Sequence, residues 1–238
     1  MERLAERLQQ MADRLAQEGP PPRARLREFL GQALGILHGV SIPDALRRWL
    51  GPQGAEWVLE QATGYLHLGF TAPREVSPQL LSEVAGELGF ADRQAFFASE
   101  IMAREYAWRL GCSTVVTQIF RADRPCSGGL VFGVEAFLPE LEEAETRRMV
   151  REGVGSHLAL GLASPESVEA ALRLCQSRGY APPPFFEGQP LLNVANAITV
   201  AYVDADVKGE TLRWEFYHSR GESPTSSPRC WARTRAEG

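Results

Sequence analysis

Two histidines and two glutamates recur in this chain at spacings that could hold a cation or move a proton. His67 opens the segment HLGFTAPREVSPQLLSEVAGELGF (67–90), and His157 opens HLALGLASPESVEAALRLCQSRGY (157–180). Laid over each other without a gap, both begin His-Leu and both close on Gly plus an aromatic residue. Gly89 and Gly179 each stand 22 residues after the histidine (89 less 67, 179 less 157). Between the ends the match is chemical: Leu81 over Ala171, Val84 over Leu174, Ser77 over Ser167. Downstream, each half ends in a strand-like segment with a glutamate among apolar residues, GVEAF at 133–137 and RWEFY at 213–217, which carry Glu135 and Glu215. The same order of parts in two stretches of one chain points to a duplicated unit.

Strand geometry places these residues. Side chains alternate faces with period two, so Leu66, Leu68 and Phe70 share one face and Tyr65, His67 and Gly69 the other. Leu158, Leu160 and Leu162 oppose His157, Ala159 and Gly161 in the same way. Glu135 opposes Phe132 and Val134; Glu215 opposes Leu212, Trp214 and Phe216. In all four strands the ionisable residue lies opposite the strongly apolar face. The apolar face is expected to pack on helices, and the other to be concave and open, with small neighbours that leave room for a metal or a substrate. Arg213 and Tyr217 share the face of Glu215, and Tyr65 that of His67; all three are candidates for orienting a substrate. His218 falls on the opposite face and is set aside.

The elements that must carry these strands read as follows. Leu4, Leu8, Met11 and Leu15 repeat at helical spacing over 1–18, and GPPP at 19–22 breaks the chain. Helices follow over about 23–38, 41–51 and 53–60, so residues 1–60 read as a helical arm suited to packing or dimerisation. A strand is expected over 64–70, helices over 77–88 and 92–110, and strands over 113–120 and 130–138 with a turn at Gly128-Gly129. A helix over 140–152, a strand over 156–162 and a helix over 165–178 come next. Strands over 198–203 and 211–218 close the pattern, joined by a turn through Asp204–Gly209. The interval from Gly to Glu is longer in the first half, 46 residues (135 less 89) against 36 (215 less 179), and the helix over 92–110 accounts for the excess. Trp49, Trp57 and Trp108 are expected in helix packing, and Arg104 and Glu105 on a solvated face. The polar segment 221–238 is expected to be a disordered tail.

Composition bounds the function. The chain has 238 residues, 44% of them hydrophobic, and a formal net charge of −5, enough apolar material for a core. Lysine is almost absent and the arginines are scattered among acids, which argues against a nucleic-acid surface. No apolar run nears the ~18 residues of a membrane span, and the charged N-terminus lacks a signal-peptide core; a cytoplasmic location is expected. Cys112, Cys126, Cys175 and Cys230 form no C-x-x-C pair and are expected to be free thiols in a reducing compartment. No glycine-rich phosphate loop is present.

Two halves, each with His on its first strand and Glu on its last, carried by HLGF (67–70), HLAL (157–160), GVEAF and RWEFY, resemble the vicinal oxygen chelate superfamily. That superfamily includes glyoxalases, extradiol dioxygenases, fosfomycin-resistance proteins and bleomycin-binding proteins. The resemblance covers about residues 61–220. It implies an α+β fold of two paired βαβββ modules forming a U-shaped sheet, here preceded by the helical arm (1–60) and followed by the tail (221–238). It also implies that His67, Glu135, His157 and Glu215 meet at one divalent metal ion, Fe, Mn, Ni, Co or Zn, whose open positions accept a substrate with two adjacent oxygens.

Two mechanisms are compatible with the resemblance. In a glyoxalase-type lyase or isomerase all four residues bind metal, and a displaced Glu135 or Glu215 serves as the base next to a carbonyl. In a non-haem Fe(II) dioxygenase His67, His157 and Glu215 form the two-His, one-carboxylate triad. A metal-free small-molecule-binding protein of the same fold is a third reading. Singly, a strand histidine is ordinarily a hydrogen-bonded structural residue, and a strand glutamate ordinarily faces water; the recurrence of both at matching positions distinguishes the metal reading. The expected partner is a small molecule, with no nucleic acid or membrane, and a homodimer is compatible with the amphipathic first helix.

Overall fold

A computed structural model of the chain describes residues 4–92, 97–186, 191–193, 198–207 and 210–219. The sequence expectations for 221–238, including the tail and Cys230, fall outside the described residues.

Three helices come first: α1 (Leu4–Leu15), α2 (Pro22–Gly39) and α3 (Ile42–Gln61). The apolar stripe of α1 is buried at Leu8, Met11 and Leu15. The two short helices expected over 41–60 are present as the two halves of α3, joined across a kink at Gly51. Ser41 caps its start by accepting a hydrogen bond from the Asp44 N–H, and Gly51, at φ 74°, interrupts it just before Pro52.

Two βαβββ modules with a mixed sheet follow. The first runs β1 (Ala62–Thr71), α4 (Pro78–Glu87), short strands β2 (Ala91–Asp92) and β3 (Phe97–Ala98), α5 (Glu100–Leu110), β4 (Thr117–Pro125) and β5 (Val131–Pro139). After α6 (Glu143–Arg151), the second runs β6 (His157–Leu162), α7 (Pro165–Ser177), β7 (Leu191–Asn193), β8 (Ile198–Val207) and β9 (Glu210–Ser219). The hydrogen-bonded order is β2-β4-β5-β1-β6-β9-β8-β7, with β3 also on β4. In each module the first strand therefore neighbours the last, which brings each histidine strand beside its glutamate strand. Between β6 and β9 the pairing is parallel and sets Ala159 opposite Glu215.

The repeat is real but not gap-free. The two module helices end at the same offset, whereas α7 begins three residues earlier relative to its histidine. Ser77 caps α4 and Ser164 caps α7, so Ser167, which the alignment places over Ser77, lies inside the first turn. The extra helix of the first module spans only Glu100–Leu110, not 92–110, because Ser99 caps it and the residues before it that the structure describes include strand pairs with β4. The next strand starts at Thr117 and runs to Pro125, four residues later than expected at its start.

By contact density the chain divides into two compact units. One comprises the residues to His38, His67–Arg124 and Gly133–His157. Its core joins Met102, Tyr106, Val115, Ile119, Phe137, Met149 and Val154. Arg25 and Arg147, both buried, fasten the end of α1: Arg25 Nη1 donates to the Leu15 carbonyl (2.6 Å), Arg147 Nη1 to that of Ala16 (2.9 Å), and both donate to Glu75 Oε1 (2.6 and 2.9 Å). Burial acts to raise the Glu75 carboxyl, but the Arg25 hydrogen bond and the two guanidinium charges outweigh it and hold the group below the usual carboxylate range. Glu105 on α5 is buried rather than solvated, paired with Arg109 (3.2 Å) one turn on, while Trp108 is 55% exposed rather than packed.

The second unit comprises Gly39–Leu66, Pro125–Phe132 and the residues from Leu158 onward. Trp49 of α3 anchors its core, with ring centroids 5.3 Å from Trp214, 6.0 Å from Phe216 and 5.4 Å from Tyr180. Asp204 lies within β8 rather than in a turn. It faces Arg213 across the β8–β9 ladder, and their side chains pair at 2.8 Å. Among the described residues no helix is long and apolar enough to cross a membrane.

Candidate metal centre

β1 and β6 are buried along their whole length. The face carrying the histidines is thus as dry as the leucine face, where the sequence suggested an open one. His67 and His157 are fully buried, and their Nε2 atoms lie 3.2 Å apart. His157 Nδ1 donates to the Gly155 carbonyl at 2.9 Å. That bond fixes the tautomer: Nδ1 keeps the proton, and Nε2 presents its lone pair, the arrangement typical of a metal-ligating imidazole. Gly155, at φ 76°, is hemmed by Phe137, Thr71 and Met102. Thr71 Oγ1 donates to the Val154 carbonyl (2.5 Å) and therefore accepts from the Tyr106 hydroxyl (2.5 Å). In this way α5 braces the turn that aims His157.

The two rings meet edge to face, with centroids 5.3 Å apart. Gly69, two residues after His67, is the cradle for the second ring. A Cβ at that position would lie 2.0 Å from His157 Cε1. Burial, then the neighbouring His157 and the Arg121 guanidinium, hold the His67 imidazole well below its usual range, so it is neutral, the form that ligates metal.

Glu135 approaches the same point, with Oε2 3.4 Å from His67 Nε2. One ligand atom from each of His67, Glu135, His157 and Glu215 lies within 4.8 Å of the others. Donors about 2.1 Å from a shared ion stand about 3.0–3.4 Å apart at right-angled to tetrahedral geometry. The 3.2 and 3.4 Å separations match that spacing. Two neutral imidazoles and two carboxylates carry a formal charge of −2, complementary to a divalent cation. The donors are nitrogen and oxygen with no thiolate, which suits Mn, Fe, Co, Ni or Zn.

The three substrate candidates are also placed. Tyr65 and Tyr217 are buried with rings in T-shaped contact at 5.4 Å. A Cβ on Gly161 would meet Thr63 Oγ1, Tyr65 Cβ and the Tyr217 hydroxyl. Arg213, besides its pair with Asp204, lies over the Phe185 ring at 5.3 Å. His218 bonds the Leu162 carbonyl (3.1 Å), away from the four donors. The sequence reading missed Arg121 and Asp123 of β4. Both are buried, with Arg121 Nε 3.6 Å from Asp123 Oδ1 and Nη1 3.7 Å from Glu135 Oε1. The signal was present as strand alternation in FRADRP (120–125), but the strand was expected to end at Phe120.

The paired βαβββ modules bring the two-His, two-Glu cluster into a site capable of coordinating a divalent metal, the arrangement that the sequence resemblance implies. No protein-family model matches the sequence, and no curated protein does. Among solved structures, the chain is similar to a methylmalonyl-CoA epimerase in complex with methylmalonyl-CoA and NH4+ (14% identity, 71% of this chain and 99% of that one, TM-score 0.43). It is also similar to methylmalonyl-CoA epimerase from Mycobacterium tuberculosis (12% identity, 68% and 92%, TM-score 0.42). A mutant of 4-hydroxymandelate synthase from Streptomyces coelicolor matches at 13% identity over 72% of this chain and 54% of that one, with a TM-score of 0.38.

Proposed function

We propose that the chain is a divalent-metal-dependent enzyme acting on a small oxygenated organic substrate as a glyoxalase-type lyase or isomerase, by proton transfer next to a carbonyl. The observation that carries this reading is the convergence of His67, Glu135, His157 and Glu215, which would hold the ion. When bound, the ion supplies Lewis acidity toward two substrate oxygens. The residues supply the rest. The Gly155 carbonyl keeps His157 in the ligating tautomer. Glu135 or Glu215, one of which need not stay on the ion, would accept the proton as general base. Tyr65, Tyr217 and Arg213 orient the substrate. The proposal extends to the organisation of the chain, with a helical arm over 1–60, a duplicated domain over 61–220 and a tail over 221–238. It also places the protein in the cytoplasm, with a small molecule as its partner and a homodimer compatible with the arm.

The test has two stages. Protein purified without chelators is analysed for metal, and its melting temperature is followed with Mn, Fe(II), Co, Ni and Zn. Metal-dependent exchange of solvent deuterium into carbonyl compounds, hydroxy acids and thioesters is then followed by NMR. Bound metal with carbon-bound deuterium supports the proposal. A metal-free protein with no thermal response overturns it in favour of the metal-free binding reading, and Fe(II)-dependent dioxygen uptake without exchange replaces it with the dioxygenase reading.

A further inference from the structure

β4 brings a second pair of charges to the centre. Arg121 and Asp123 stand two residues apart on one face of the strand, each 4% exposed. Arg121 Nε lies 3.6 Å from Asp123 Oδ1, and Arg121 Nη1 lies 3.7 Å from Glu135 Oε1. The other oxygen of Glu135, Oε2, lies 3.4 Å from His67 Nε2. One carboxylate is therefore approached from two sides, Oε1 by a guanidinium and Oε2 by the imidazole cluster.

We infer that Arg121 is a positioning residue for Glu135, holding Oε1 so that Oε2 is the oxygen offered to a divalent cation, with Asp123 as the counter-charge that holds Arg121. The inference rests on the metal reading of the site. The terminal torsion of a glutamate is broad and roughly two-fold, so a carboxylate beside two imidazoles has no preferred donor oxygen of its own. A guanidinium is planar and permanently charged, and from 3.7 Å its Nη1 draws Oε1 by charge. Taken alone, Arg121 would oppose a second cation in a dry site. Asp123 cancels that charge, so the four donors keep their formal −2. The outer partners of metal ligands act in this way generally, and their removal costs 10–100-fold in metal affinity.

Co(II) is the probe, because its visible absorption reports coordination as well as occupancy. It is titrated into the full chain and into Arg121→Ala, Arg121→Lys and the double variant Arg121→Ala/Asp123→Ala. The double variant removes both charges together and so avoids stranding one in the interior. Arg121→Ala and the double variant are expected to bind Co(II) about 10–100-fold more weakly with shifted bands. Arg121→Lys, which keeps the charge without the planar guanidinium, is expected to recover part of the affinity. Circular dichroism checks folding; if Arg121→Ala fails to fold, the double and lysine variants decide. Wild-type binding that the variants share within about twofold, with the same bands, overturns the positioning role alone. Absence of Co(II) binding by the wild type overturns the metal reading and the positioning role together.

Discussion

Gly69→Ala adds one methyl group at a position where the backbone would accept it and the neighbouring ring would not. Gly69 is a strand residue, and the added Cβ would lie 2.0 Å from His157 Cε1 and 2.5 Å from both ring nitrogens. Ordinary contact begins at 3.4 Å, so the imidazole must recede by at least 1.4 Å (3.4 less 2.0). Ligand distances tolerate only about 0.2 Å, so the displaced Nε2 leaves the donor set. Overpacking costs about 1–3 kcal/mol of stability. The larger effect falls on metal response. At metal one hundred times the wild-type Kd, mass action adds ~2.7 kcal/mol, which is about 5–10 °C in melting temperature for a chain of this size. A hundred-fold weaker site leaves about 0.4 kcal/mol, or roughly 1 °C. Calorimetry with and without metal reads both quantities. Gly86→Ala, with nothing within 4 Å of the added Cβ on α4, is the control, expected to keep the metal response and to gain about 0.5–1 kcal/mol. A Gly69→Ala protein that binds metal with wild-type affinity would refute the account of how His157 is seated.

Three further outcomes are expected. His157→Ala loses the metal-dependent rise in melting temperature, whereas its neighbour Leu158→Ala, on the opposite face, loses about 2–5 kcal/mol of stability and keeps the metal response; calorimetry with added Co(II) checks both. Glu75→Gln, which breaks the Arg25–Glu75–Arg147 bridge, costs about 1 kcal/mol near neutral pH. Because the Glu75 carboxyl is held below its ordinary value of 4.5 in the fold, its contribution is full above about pH 4.5 and is lost as pH falls through the lowered value, so urea midpoints of variant and wild type should converge in acid. In iodoacetamide labelling at pH 7.5, read by peptide mapping, exposed Cys112 should react, while Cys175, buried with its thiol pushed up to about 12, should stay unlabelled until the chain unfolds.

The parts of this structure legible in the sequence are those governed by local periodicity. Period-two alternation set His67, His157, Glu135 and Glu215 opposite the leucine and aromatic faces, and Ser41 and Ser77 mark helix starts that the structure shares. Where charge was read as exposure, the reading failed. Arg121 and Asp123 extend β4 into what looked like a loop, because Arg121 lies between the carboxylates of Asp123 and, across the face, Glu135. Glu105 is buried because Arg109 lies one turn on, and Asp204 sits in a strand because Arg213 faces it across the ladder. Pairing of this kind depends on tertiary neighbours, so composition alone could not reveal it. The same holds for Trp108, whose size suggested core and whose position on α5 leaves it in solvent beside Arg109.

The four donors are between 0 and 7% exposed, which has a kinetic consequence. A chelator that enters by the substrate's path still cannot take the ion while the four donors hold their places. The ion's departure requires β1 and β6 to breathe, so the rate should saturate at high chelator concentration at the local opening rate, the same event that exposes their amides to deuterium. Loading is subject to the same gate, which makes the moment of folding, before the strands close, the fastest route for metal into the protein.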